Sequence, residues 1–397
     1  MNMKMTSQLW IFTVLLHLLL TTCAHRQDVQ EYDNIDYFRI EPLDGGKSAR
    51  IIKYVGTSQI VHIPPEIHGM SITEIGDESF KDKEIIRVAI PNSVIIIGKK
   101  AFFNNKLTSV TIPDSVILIE EEAFTWESSQ ALTKFGIYRP DYGRSPPKPS
   151  TIITDVIIGN GVKNIKRRAF WGNQIKTLVI PKNVTAIEEE AFAYNELTSV
   201  TISNNVIYLS GFSNNKLTHI TIPDSVTTIG DYAFAGNEII SVSIPKDITA
   251  IKKYAFAGNK LTSVSIPKNV TAIEEGAFAY NELISINISD GVTSIGEWAF
   301  SGNKLTSVSF SNSVRSLGAG AFLQEDNWAI TEITIGSDVI IAGGENYPLF
   351  GAFSRQYQFS RYDFKTTTYP GGFEEFYNKN NRRAGTYVKN KDQWGIK

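Results

Sequence analysis

The residues that could carry catalytic or metal chemistry are few. The chain has one cysteine, Cys23, and five histidines among 397 residues. A single cysteine cannot form an intrachain disulfide or supply the thiolates of a zinc or iron–sulfur site. The sequence contains no glycine-rich phosphate loop and no HExxH, GxSxG or CxxC motif. We therefore predict a protein that is not an enzyme, with no cofactor and no catalytic, cofactor-binding or metal-binding residues.

The charges of the chain nearly cancel. Lys and Arg together number 39 against 41 Asp and Glu, which gives a formal net charge of −2. A protein that binds nucleic acid or an acidic membrane through its overall field needs a clear positive excess. The composition therefore predicts that neither is a partner.

Cys23 lies beside a candidate export signal at residues 1–24. Lys4 provides a positive N-terminal region, and Leu9–Leu20 is an apolar run too short to span a membrane. One interpretation is cleavage after Ala24 by an ordinary signal peptidase. The other is a lipobox ending at Cys23, which would make this residue the lipidated N-terminus. Both predict an exported protein at the cell surface or in the extracellular space. Only the lipobox interpretation adds a membrane contact, through a lipid anchor on Cys23.

A 22-residue period dominates the rest of the chain and sets its architecture. It is most visible in a recurring phenylalanine, usually preceded by alanine, at positions 80, 102, 124, 170, 192, 212, 234, 256, 278, 300 and 322. In the unit from Phe256 to Phe278, the segment Leu261–Ile266 alternates apolar and polar residues, as in a half-buried strand. Pro267 ends that strand, because proline lacks the N–H that would continue the ladder. One such unit cannot bury enough surface to fold alone, so we predict a stacked solenoid.

The gap between Phe124 and Phe170 is longer than one period. Residues 132–137 and 153–158 both match the strand pattern, which predicts two successive strands there. The proline-rich stretch 138–151 then replaces one return segment as a loop. This interpretation gives thirteen strands from Ile63 to Ile335.

Equivalent positions in successive units form columns of like residues. An asparagine stands three residues after eight of these phenylalanines, which predicts a buried amide ladder that satisfies turn backbone groups. The asparagines are at 105, 173, 195, 215, 237, 259, 281 and 303. One position further on, Glu and Lys alternate between units, as do charges just before the phenylalanine. This alternation indicates ion pairs between neighbouring units more than an extended binding patch.

The outward positions of the predicted strands carry short hydroxyl side chains. We call this surface the hydroxyl face; it comprises Ser199, Thr201, His219, Thr221, Ser241, Ser243, Ser263, Ser265, Ser285 and Ser307. It is either a solvated face with good strand propensity or a contact surface for a protein or a glycan. An ice-binding face is disfavoured, because serine replaces much of the regular threonine that such a surface requires.

The repeated Ile-Pro, Val-x-x-Ile-Gly and Ala-Phe marks, seen together in residues 217–237 (LTHITIPDSVTTIGDYAFAGN), resemble the BspA-like, or treponemal-type, leucine-rich repeat. The resemblance covers about residues 50–345. It implies a mainly β solenoid with a parallel sheet on its concave side and short irregular return segments. It also implies an exported bacterial surface protein, in some cases an adhesin, with no catalytic residues to transfer. This chain has asparagine where the family usually has cysteine near the turn.

The resulting domain organisation is a signal peptide at 1–24, an N-terminal cap at 25–50, the solenoid at 51–344, and an aromatic and basic C-terminal cap at 345–397. The leading functional hypothesis is a monomeric, non-catalytic recognition or adhesion protein that binds a protein or glycan through the hydroxyl face. The alternative is a structural spacer or envelope scaffold with no ligand on that face.

Overall fold

The computed structural model describes residues 32–126, 152–325, 330–335, 337, 339–341, 350–353, 384–390 and 393–396. The candidate signal peptide with Cys23, the loop 138–151 and most of the segment 345–397 lie outside these residues. Within the described part of the chain, the helical segments are two short 3₁₀ turns, Ile35–Tyr37 and Asp44–Gly46. The same part contains no helix with the length and apolar character needed to cross a membrane.

Each 22-residue coil forms one rung of a parallel β solenoid of about 12 turns. The mainly β solenoid predicted from the sequence is therefore confirmed. The strands on the side of the solenoid that carries the hydroxyl face are β3 (Ile60–His62), β6 (Arg87–Ala89), β8 (Ser109–Ile112), β10 (Asp155–Ile158), β12 (Thr177–Val179), β14 (Ser199–Thr201), β19 (Ser285–Ile288), β21 (Ser307–Phe310) and β24 (Glu332–Ile335).

The return segments contain a second strand that the sequence pattern did not reveal. These strands have two residues each and pair in parallel with the equivalent residues of neighbouring rungs, as Ala272 does with Ala250 and Ser294. They are β7 (Ile96–Ile97), β9 (Leu118–Ile119), β11 (Asn164–Ile165), β13 (Ala186–Ile187), β15 (Tyr208–Leu209), β16 (Thr228–Ile229), β17 (Ala250–Ile251), β18 (Ala272–Ile273), β20 (Ser294–Ile295), β22 (Ser316–Leu317) and β25 (Ile340–Ile341). Two residues are too few to produce a visible alternation, which is why periodicity could not identify them.

The prediction of two successive strands between Phe124 and Phe170 is corrected. Residues 132–137 lie outside the described residues, and the rungs on either side of them pair directly. Val110 in β8 is the register partner of Val156 in β10, and the rings of Phe124 and Phe170 stack at 5.1 Å. No space remains for a strand between these rungs, so twelve rungs, not thirteen, run from β3 to β24.

The core of the solenoid is a continuous stack of phenylalanine rings, with one ring from each rung. From Phe80 to Phe322, successive ring centroids lie between 5.0 and 5.9 Å apart, and the interplanar angles do not exceed 20°. Tyr54 extends the stack by one ring at its N-terminal end, 5.3 Å from Phe80. The aliphatic residues of both strands pack around these rings and are buried.

Antiparallel strands lie at both ends of the stack. At the N-terminal end, β1 (Phe38–Leu43) pairs with β2 (Ser48–Tyr54), and β4 (Glu66–Ile67) pairs with β5 (Met70–Ile75), which also continues the return ladder beside β2. At the C-terminal end, β27 (Gly385–Asn390) pairs with β24 and forms a hairpin with β28 (Gln393–Ile396). Also in the C-terminal part of the chain, β23 (Phe322–Glu325) pairs in parallel with β26 (Phe350–Phe353). Tyr387 of β27 is completely buried against the last rungs.

Candidate functional site

The asparagine ladder holds each turn next to the phenylalanine stack. Asn259 accepts a hydrogen bond at Oδ1 from the backbone N–H of Ile239, 3.0 Å away, in the preceding rung. Its Nδ2 donates to the carbonyl oxygens of Phe234 at 2.9 Å and Phe256 at 3.1 Å. The same arrangement recurs at residues 173, 195, 215, 237, 281 and 303. The predicted role of this column is therefore confirmed.

The last rung achieves the same bonding with a different residue. Gln324 is one position closer to its phenylalanine than the asparagines are. Its longer side chain accepts from the N–H of Leu305 at 3.1 Å and donates to the carbonyl of Phe322 at 2.7 Å. Gln324 is buried, as most of the ladder asparagines are. The spacing of the asparagine column did not predict that Gln324 would have this role.

Charged side chains join neighbouring rungs on the surfaces beside the hydroxyl face. One series comprises Glu84–Lys106, Glu196–Lys216, Glu238–Lys260 and Glu282–Lys304, with N–O distances from 2.7 to 3.4 Å. A second series comprises Lys99–Glu121, Lys100–Glu122, Lys166–Glu188, Lys252–Glu274 and Lys253–Glu275. The interpretation of the alternating charges as ion pairs between rungs is therefore confirmed. These charges are mutually engaged and do not form a patch of one sign.

The pairs shift the pKa values of their members in the direction that favours charge. The hydrogen bond from Lys99 lowers the pKa of the Glu121 carboxyl. Hydrogen bonds to Glu188 and Glu274 raise the pKa values of Lys166 and Lys252, respectively. Both partners of each pair are partly solvent-exposed, so each contributes only a few tenths of a kcal/mol. Their main effect is to favour one register between rungs.

The hydroxyl face is exposed along its length. Nine of its ten residues are exposed to solvent, and Ser307 is half-buried. None of its nine hydroxyl groups, all within the described part of the chain, makes a hydrogen bond to another protein group. By contrast, Thr271 and Thr293 on the return side donate to the backbone of the preceding rung. The donors and acceptors of the hydroxyl face are therefore available to a ligand.

Backbone pairing on the hydroxyl face is discontinuous. Ser199 belongs to the β12–β14 pair, His219 and Ser241 form an isolated bridge, and Ser285 is the register partner of Ser307. On this face, no strand pairing joins the segments that carry Ser243 and Ser265, although their rungs pair on the return side through β17 and β18. The structure thus aligns the ten predicted residues on one surface, but only some of the segments that carry them are paired with each other through the backbone.

Two apolar residues on the same surface were missed in the sequence. Ile157 and Val179 occupy the outward position of β10 and β12 where other rungs have threonine or serine, and their exposed fractions are 65% and 66%. The signal was present, because both lie two residues after an outward polar residue in their strands. They extend the face beyond Ser199 with an apolar pair on adjacent rungs.

The described residues contain no group of three or more His, Cys, Asp or Glu side chains placed to hold a metal ion. The half-buried tyrosines are surrounded by residues that pack against them or hydrogen-bond to them, as Tyr254 shows. Burial and the neighbouring Glu275 raise the pKa of Tyr254, whose ring stacks on that of Tyr232 at 5.1 Å. Such a tyrosine stays protonated and acts as a packing group in the turn.

The repeat geometry and the sequence marks agree with one family. A model of the BspA type leucine-rich repeat region matches in six copies, over residues 67–138, 149–240 and 227–345. These matches cover more than half of the chain, and the protein therefore belongs to the BspA-type leucine-rich repeat family. No curated protein matches the chain.

Several solved structures are similar to the chain at low identity. A leucine rich cell surface protein from Faecalibacterium prausnitzii is 23% identical, with 70% of this chain and 88% of that chain covered and a TM-score of 0.35. A leucine-rich repeat protein from Bacteroides ovatus is 21% identical, with 74% and 94% covered and a TM-score of 0.41. The pneumococcal vaccine antigen PcpA is 16% identical, with 77% and 86% covered and a TM-score of 0.41. The family assignment stands on the repeat match and not on these similarities.

Proposed function

We propose that this is an exported, non-catalytic surface protein that recognises a protein or glycan through the hydroxyl face. The observation that carries the proposal is the contrast between surfaces. The ten face residues are aligned and solvent-accessible, and their nine hydroxyl groups make no protein hydrogen bonds, whereas many charged side chains beside them are engaged in ion pairs. A broad polar surface of this kind supplies many weak directional contacts, which suits recognition of an extended ligand.

The test replaces five face residues, Ser199, Thr201, His219, Thr221 and Ser241, with glutamate or lysine. The purified protein would be assayed for binding to immobilised matrix proteins, glycans and intact cells. A control carries glutamate or lysine at four exposed threonines on the return side, Thr227, Thr249, Thr271 and Thr293. We expect the face variant to lose binding and the control to retain it. Equal binding by both variants would refute the face assignment.

A structural spacer is the second candidate, and the uninterrupted ring stack from Phe80 to Phe322 favours it. Deletion of residues 213–300 removes four complete units and rejoins the stack in register. A spacer would tolerate this deletion with a shorter reach, whereas a recognition face would lose its partner. Circular dichroism and thermal unfolding would verify that the shortened solenoid is folded.

We also propose that residues 1–24 direct export and that Cys23 carries a lipid anchor. Mass spectrometry of the mature N-terminus is the direct measurement. An acylated Cys23 supports the anchor, and its loss in Cys23→Ser with release of the protein from membranes would agree. An unmodified N-terminus at His25 would refute the anchor but leave export in place.

A further inference from the structure

A groove of about 450 Å³ lies at the C-terminal edge of the hydroxyl face. It is formed by the equivalent segments of two adjacent rungs. Its walls are Val242, Ser243, Ile244 and Lys246 from one rung and Ser265, Pro267, Lys268 and Asn269 from the next. Two of the face hydroxyls, those of Ser243 and Ser265, therefore line a concave site instead of a flat surface.

The groove coincides with a gap in the backbone hydrogen bonding between two neighbouring strand segments. No backbone hydrogen bond joins residues 242–245 to residues 264–267, although the equivalent segments β19 and β21 are fully paired. The groove lies within a stretch of wider phenylalanine spacing, 5.6 to 5.9 Å for the four steps from Phe192 to Phe278, with 5.7 Å between the two groove rungs and 5.0 Å between Phe80 and Phe102. The backbone N–H and C=O groups along these segments are therefore not bonded to each other across the groove. An inserted β-strand would need nearly twice this separation, so a ligand must lie in the groove and not between the rungs.

The charge pattern changes at the same two rungs. Lys246 and Lys268 occupy equivalent positions on adjacent rungs, are exposed and make no ion pair within the described residues. Asp224 and Asp290 hold the equivalent position on the next rung at either side, and Asp247 follows Lys246 directly. The two lysines at this position are therefore flanked by aspartates on the next rung at either side and do not continue directly along the solenoid.

We propose that this groove binds an acidic glycan, a polysaccharide whose sugars bear carboxylate or sulfate groups. Lys246 and Lys268 contact the anionic groups, while Ser243, Ser265 and the unpaired backbone groups bond to sugar hydroxyls. The two lysines lie at equivalent positions on adjacent rungs, so a chain of sugars lying across the groove can meet both. Protein hot spots are enriched in tryptophan, tyrosine and arginine, and none of these lines the groove. The inference rests on the proposed recognition function and specifies its ligand class.

The experiment uses the purified protein with two probes of equal length, an oligogalacturonide and a neutral maltooligosaccharide, and measures binding by calorimetry. A heparin-derived octasaccharide provides the sulfated arm. The test variant is Lys246→Ser with Lys268→Ser. The matched control is Lys182→Ser with Lys163→Ser, which removes the same charge from two exposed lysines outside the groove. Lys182 occupies the same position in its own rung as Lys246 does.

We expect the wild type to bind at least one acidic probe and not the neutral one, with an affinity that falls as salt is raised. The double groove variant should lose ~10-fold or more in affinity, equivalent to about 1.4 kcal/mol. The control should stay within about twofold of the wild type, as for unrelated surface charges. Equal losses in both variants would show non-specific attraction and overturn the proposal, as would the absence of binding to either acidic probe. If cell binding still depends on Ser199 and Thr201 in that case, the recognition function stands without this ligand.

Discussion

The replacement Asn259→Ala tests the asparagine ladder, which the structure makes responsible for the turn geometry. Asn259 is 7% exposed, and three of its hydrogen bonds fix the turn: two to Ile239 and Phe234 of the preceding rung and one to Phe256 of its own. The consequences of removing it differ among its three partners. The carbonyl of Phe234 also accepts from Asn237, and that of Phe256 also accepts from Asn281. Only the N–H of Ile239 would be left without a partner.

The expected cost follows from this accounting. A buried donor left unsatisfied costs about 1–3 kcal/mol, and a lost hydrogen bond about 0.5–1.5 kcal/mol. Because the carbonyls of Phe234 and Phe256 each keep one donor, they contribute less to the loss of stability than the unsatisfied N–H of Ile239 does. We expect Asn259→Ala to destabilise the protein by about 2–4 kcal/mol. The cost should be concentrated at the two rungs that the side chain joins, because each repeat contacts only its neighbours.

Urea unfolding followed by circular dichroism would measure the change, and amide hydrogen exchange would locate it. The Ile239 N–H should exchange much faster in the variant than in the wild type, while amides near Phe102 should be unaffected. The matched control is Asn269→Ala in the next turn, whose exposed side chain makes one bond to the Lys246 carbonyl at 2.9 Å. That change should cost less than about 0.5 kcal/mol. Equal destabilisation by the two variants, or no change in exchange at Ile239, would refute the reasoning.

Three further predictions concern charge, the ring stack and the turns. The hydrogen bond from Lys99 lowers the pKa of Glu121 below its ordinary 4.5. The pair therefore stabilises the fold above pH 4.5, and this contribution disappears as the pH falls through the lowered pKa. Glu121→Gln should lower Tm at neutral pH, and the decrease of Tm on acidification should be smaller in this variant than in the wild type. Phe256→Ala removes a buried ring stacked on both sides and should cost about 3–5 kcal/mol in urea unfolding. Gly276 has φ +59° and faces the ring of Tyr254, so Gly276→Ala would create an overlap and should cost about 2–4 kcal/mol.

Each of these predictions has a result that contradicts it. Parallel Tm-against-pH curves for the wild type and Glu121→Gln would mean that the pair contributes nothing. A Phe256→Leu variant as unstable as Phe256→Ala would argue against a dependence on cavity size. For the turn, Gly45 is the control, because it has φ +66° and open space around it. Equal costs for alanine at Gly45 and Gly276 would assign the whole effect to backbone conformation.

Much of the solenoid could be predicted because equivalent positions in successive repeats have the same structural surroundings. A column such as the asparagines at 195, 237 and 259 is informative, since one position in many rungs has the same neighbours above and below. The ring stack, the amide ladder and the ion pairs between rungs were all predictable for this reason. Gln324 was not, because a longer side chain at a different position reaches the same backbone groups.

The hydroxyl face was only partly predictable. Alternation in the first strand identifies which side chains point outward, and all ten predicted residues do lie on one surface. The apolar pair Ile157 and Val179 interrupts the polar pattern and was overlooked, although it lies on the same surface. The groove between Ser243 and Ser265 was not predicted, because the rungs that form it show the same alternation of apolar and polar residues as the paired rungs.

The sequence by itself therefore determined the repeat, the family, the inward and outward positions and the sparsity of catalytic residues. These properties depend on residue type and spacing within one unit. The tertiary structure decided which rungs are neighbours across residues 127–151, where the return strands pair, and where two rungs separate to form a groove. The physical reason is that register and spacing between rungs come from the balance of ring packing and backbone hydrogen bonds over the whole stack. That balance is a property of neighbouring units together, and no single unit encodes it.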